Sequence, residues 1–74
     1  MAKDKDIIIK PSYEQGGYWS MATLRLNTKR AADVYNDYFG TNKSKGDSFI
    51  VSHKKWDDDI KVMAECASLE SWFS

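Results

Sequence analysis

IIIKPSYEQGGYWSMATLRL, from Ile7 to Leu26, is the stretch on which the fold turns. Two extended runs flank Gly16-Gly17. Paired glycines between such runs mark a tight hairpin, because both turn positions take positive φ without a Cβ penalty. With these glycines as the loop, Gln15 faces Tyr18, Tyr13 faces Ser20, Ile9 faces Leu24 and Ile7 faces Leu26. Opposed residues of an antiparallel pair share a face. One face then holds Ile7, Ile9, Tyr13, Tyr18, Ala22, Leu24 and Leu26; the other holds Lys10, Ser12, Glu14, Trp19, Met21, Thr23 and Arg25. A slip of one residue would scramble this division, so the pattern supports the register. Pro11 lacks a backbone donor, which predicts an edge position for the first strand or a bulge within it.

The apolar face needs a cover. Asn27 or Thr28 suits the N-cap of a helix running to about Phe39, with Ala31, Val34, Tyr35 and Tyr38 inward and Lys29, Arg30, Asp33 and Asp37 outward. Gly40 stands where a left-handed C-terminal residue is expected. Residues 41–47, TNKSKGD, form a polar loop. SFIVSHKKW then alternates as a third strand, with Phe49, Val51 and His53 on one side and Ile50, Ser52, Lys54 and Trp56 on the other. Residues 59–67 fit two periods. As a helix, Ile60, Met63 and Ala67 align, but Val62, Leu69 and Phe73 do not. As a strand, Ile60, Val62, Ala64 and Cys66 alternate with Lys61, Met63, Glu65 and Ala67. The period-two pattern is cleaner and predicts a fourth strand, with a turn at Trp56–Asp59, Val51 facing Ala64 and Phe49 facing Cys66. Ser68 then caps a short helix, LESWFS, whose Leu69, Trp72 and Phe73 close the core. The predicted fold is α+β in the order ββαββα, a four-stranded antiparallel sheet from two hairpins with helices on one face.

The 74 residues make one small domain, 1–74, with residues 1–5 frayed. Ten aromatic residues (three Trp, four Tyr, three Phe) are too many for so small a core to hide, and exposed aromatics favour binding surfaces. Eleven basic and eleven acidic residues cancel, which argues against binding nucleic acid by bulk charge. The charge is unevenly spread. Residues 1–30 carry six basic against three acidic groups, a surplus of three; residues 56–74 carry one basic against five acidic, a deficit of four. Such asymmetry orients a partner by complementarity. The single cysteine, Cys66, and the lack of an apolar leader or span point to a cytoplasmic protein without a membrane partner.

No catalytic, cofactor or metal set emerges. Cys66 and His53 are the only thiol and imidazole, and the predicted register separates them by roughly 13 Å. Asp57-Asp58-Asp59 on a turn would point in different directions, with no further ligand for a hard cation. Gly16-Gly17 joins two strands and matches no phosphate-loop pattern. The informative feature is the sheet face left uncovered by the helices: Lys10, Ser12, Trp19, Met21, Thr23 and Arg25 from the first hairpin, and Ile50, Ser52, Lys54, Trp56, Lys61 and Met63 from the second. The predicted partner-binding residues are Trp19, Met21, Arg25, Lys54, Trp56, Asp57, Asp58 and Lys61, with Trp19 and Trp56 as anchors. Trp, Met and Arg are the residue types that concentrate interface energy.

The expected function is therefore a non-enzymatic binding module that occludes a surface of a larger protein or nucleoprotein complex. Small inhibitors encoded by phages and other mobile elements, which block host defence (anti-CRISPR-type) or transcription complexes, share this size and composition; the parallel is one of class only. The alternative is a nucleic-acid-binding sheet module, with bases stacked on exposed Trp and phosphates met by Lys and Arg. Self-association is a third use of the same face.

Overall fold

A computed structural model describes residues 5–13 and 16–73. The elements follow the order β1 (Ile7–Tyr13), β2 (Trp19–Leu26), α1 (Lys29–Phe39), β3 (Ser48–Ser52), a second helix α2 over residues 53–66, and β4 (Ser71–Phe73). The class is α+β with a four-stranded sheet, as expected, but the order is ββαβαβ and the sheet is mixed. Strands lie β3-β2-β1-β4, with β1 antiparallel to β2, β2 antiparallel to β3, and β4 parallel to β1.

The hairpin register holds where the apolar pattern is strongest. Ile7 pairs with Leu26, Ile9 with Leu24 and Pro11 with Ala22. Beyond Pro11 it shifts, and Tyr13 pairs with Trp19 rather than Ser20. Ser20 and Met21 together oppose Ser12, so β2 carries one extra residue, a bulge. Pro11 does not make β1 an edge. Instead β4 reaches only Ile7–Ile9, so the missing donor falls past its end. Gly16 and Gly17 both have positive φ, as the turn requires. The expected Gln15–Tyr18 pair, the face of Glu14 and the fraying of residues 1–4 lie outside the described residues.

Helix α1 forms as its signals predict. Thr28 is extended, and its hydroxyl accepts from the Ala31 N–H at 3.1 Å. Gly40 is left-handed at the other end, donating its N–H to the Asn36 carbonyl at 2.8 Å. Ala31, Ala32 and Tyr35 are buried, Val34 is half-buried and Tyr38 is exposed.

The expected second hairpin does not exist. The chain passes from β3 straight into α2: Ser52 is the N-cap, its hydroxyl accepting from the Lys55 N–H at 3.1 Å. The helix is α-helical over His53–Lys55, π-helical over Trp56–Ile60 and α-helical again over Lys61–Cys66. It crosses beneath the sheet from one edge to the other, because β3 and β4 are parallel and parallel strands need a crossover. The predicted strand 59–67 is thus part of a helix, and the predicted turn at 56–59 is its π-helical segment. The predicted C-terminal helix is β4. Val51 faces Ala22 and Phe49 faces Leu24, not Ala64 and Cys66. Burial decides the matter: Trp56, Ile60, Met63 and Ala64 make one helical stripe, whereas a strand would have buried alternate residues.

The core lies between one sheet face and both helices. Ile7, Ile9, Ala22, Leu24, Leu26 and Val51 meet Ala31, Ala32 and Tyr35 from α1 and the stripe of α2, with Leu69 closing one end. Arg30 fastens the helices together, donating from Nη2 to the Ala67 and Ser68 carbonyls at 2.6 and 2.8 Å. A cation at those carbonyls also complements the negative end of the α2 dipole.

Candidate sheet-face interface

The strands turn alternate residues away from the helices, and register sets these in rows. One row crosses all four strands as Ser48, Arg25, Ile8 and Trp72. The next, two residues on, is Ile50, Thr23 and Lys10. Met21 stands beyond them at the bulge, opposite Ser52. Nothing among the described residues covers this face. Ile50 is 61% exposed, Trp72 54% and Met21 43%. Lys10 and Arg25 are exposed and have no ion-pair partner among the described residues. The arrangement is an apolar patch with an indole at one edge and two unspent cations within it. Exposed apolar side chains rimmed by polar and charged ones are a form that interaction sites take.

Of the predicted partner-binding residues, only Met21 and Arg25 lie here. Trp19 is turned to the helix side by the bulge, since one extra residue inverts every side chain beyond it. Its ring packs edge-on against His53 with centroids 4.5 Å apart, and lies 6.4 Å from Phe73. Trp56 is 6% exposed, a core residue packed edge-on against Phe73 at 5.6 Å. The sequence reading put it on the open face because it continued the β3 alternation into what is helix. Lys54, Asp57, Asp58 and Lys61 are exposed on α2, apart from the sheet face. Lys54 donates to Asp58 Oδ2 at 3.1 Å; that hydrogen bond, then the Asp58 charge, raises the Lys54 pKa above its usual 10.5. Met63, also assigned to the open face, is buried.

Sequence reasoning missed Ile8 and Trp72. Ile8 was hidden within an all-apolar run, Ile7–Ile9. The sequence pattern places Trp72 on the core side of a helix; the signal for the open face is the alternation of Ser71, Trp72 and Phe73, in which the indole stands opposite its neighbours.

Cys66 is exposed near the end of α2, not buried beside Phe49. His53 is thirteen residues earlier on the same helix, roughly 20 Å away at about 1.5 Å per residue. Among the described residues, no three His, Cys, Asp or Glu side chains gather as a metal-ligand set. No described helix is long and apolar enough to cross a membrane. An open depression of about 730 Å³, with Tyr13, Tyr18, Trp19, His53 and Lys54 in its lining, lies between the hairpin end and the start of α2. Comparison with protein families, curated proteins and solved structures finds no match to this chain.

Proposed function

We propose that this protein is a non-enzymatic binding module that docks its uncovered sheet face on a larger protein or nucleoprotein complex and acts by occluding the surface it covers. The observation that supports this best is the row Arg25, Ile8, Trp72, with Met21 and Ile50 on the same face and Lys10 among them, without an ion-pair partner among the described residues. Trp, Met and Arg are enriched at protein interfaces, and an anchor with apolar neighbours is the usual form of a hot spot. The complementary surface is apolar with acidic groups set to meet Lys10 and Arg25. A blocker of a host defence or transcription complex is one form such a module takes; size and composition are what suggest it.

The rival use, single-stranded nucleic acid, draws on the same Trp72, Lys10 and Arg25. It is the weaker reading because stacking modules set several aromatic rings along the strand path. Here one indole is accompanied by Ile8, Ile50 and Met21, which stack poorly and pack well.

The test is affinity capture with three proteins side by side: the unaltered chain, Trp72→Ala, and Val62→Ala on the exposed surface of α2. A protein held by the first and third and lost by the second supports the proposal. Capture indifferent to Trp72 overturns it. Tight, steeply salt-dependent binding of an oligothymidylate would move the assignment to the rival.

A further inference from the structure

We propose that the outer edge of β3 pairs with the same edge of a second copy, antiparallel, about a two-fold axis midway between the two Ile50 residues. β3 is the terminal strand of the sheet, and among the described residues no backbone group bonds to its outer side. Edge strands are ordinarily protected by charge, proline, a bulge or shortness. The opposite edge, β4, is only three residues long. β3 has five residues, SFIVS, with no charge, no proline and no bulge.

The sequence of this edge is self-complementary. A two-fold axis at Ile50 sets Ile50 against Ile50, Phe49 against Val51 and Ser48 against Ser52. Each pairing is apolar with apolar or small polar with small polar, and like faces meet. The flanks are complementary as well. The same register carries exposed Asp47 of each copy towards the exposed His53 and Lys54 of the other. An unrelated partner strand would not require a segment to match its own reverse; a second copy does. The product is one sheet of eight strands, which doubles the open face described above.

A five-residue ladder is at the low end of interface size, so the dimer is weak, in the micromolar range. Sedimentation of the full chain over a concentration series should show monomer passing to dimer, with no larger species. Ile50→Lys sets like charges directly opposite each other and should weaken the dimer roughly tenfold or more. Ile50→Glu should do the same, and an equimolar mixture of the two variants should restore dimer. Hydrogen exchange should show β3 amides protected in the dimer and released in Ile50→Lys, whose melting curve confirms the fold. Monomer throughout the series, or no recovery on mixing, overturns the proposal. So does a dimer without β3 protection, which would mean face-to-face stacking. None of these readings uses the partner of the sheet face, so this inference and the proposed function fail separately.

Discussion

The carboxylate of Asp6 accepts a hydrogen bond from the backbone N–H of Glu70 at 3.0 Å, across 64 residues of sequence. Its other oxygen accepts from the Thr28 hydroxyl at 2.7 Å, and that hydroxyl caps α1. The backbone of Asp6 adds a bond to the Glu70 carbonyl at 2.9 Å and one from the Asn27 N–H at 2.9 Å. One buried acid therefore sets the start of β1, the start of α1 and the approach to β4. Since Trp72 reaches the open face only because β4 lies beside β1, Asp6 is the residue that positions the proposed anchor.

Asp6→Ala leaves the Thr28 hydroxyl and the Glu70 N–H without this acceptor. The expected cost is about 1–3 kcal/mol, the usual cost of stranding buried polar groups. Hydrogen exchange of Trp72 and Phe73 should rise before that of Leu24. Unchanged stability would show that the clasp is ornamental.

Leu24→Ala should destabilise by about 2–5 kcal/mol, because Leu24 is fully buried between sheet and helices. Thr23→Ala, one residue away on the open face, should cost far less. Equal losses in urea melts would contradict the face assignment.

Trp56→Ala and Trp72→Ala separate the two indoles. Trp56 fills the core beneath Phe73, and its loss should cost about 3–5 kcal/mol. Trp72→Ala should melt near the unaltered protein. The reverse order would exchange their roles.

Cys66 should react with a thiol reagent in the native protein at a rate close to that of an exposed cysteine peptide. Reaction gated by unfolding would place the thiol inside.

Local chemistry made much of this fold legible. The alternation about Ile9 and Leu24, the helix cap at Asn27 or Thr28, which falls to Thr28, and Gly40 each specify their own neighbourhood and are found there; Gly16 and Gly17 turn the chain, but the register next to them is Tyr13 with Trp19, not Tyr13 with Ser20. The misreading began at Trp56. Period two and period 3.6 both fit residues 59–67, and the helical fit is spoiled by Val62, which α2 leaves exposed, and by Leu69 and Phe73, which lie beyond the end of α2 at Cys66. Ser52 as an N-cap and the i,i+4 spacing of Lys54 with Asp58 were the helix signals available. The parallel docking of β4 on β1 is a contact between distant segments, and no local pattern announces it. Pro11 predicts an edge position or a bulge for the first strand; β1 is not an edge, and the extra residue lies in β2, between Trp19 and Ala22, where no local signal marks it. Of the proposed binding face, Met21 and Arg25 are legible from the hairpin alone, whereas Trp72 requires the crossover.

The central claim is that the sheet face carrying Trp72 binds the partner. The most direct measurement is a calorimetric titration of the captured partner with the unaltered protein and with Trp72→Ala, each shown to be folded by its melting curve. The account predicts a loss of at least about 2 kcal/mol, roughly thirtyfold in Kd, for Trp72→Ala. Equal affinity for the two folded proteins would contradict it.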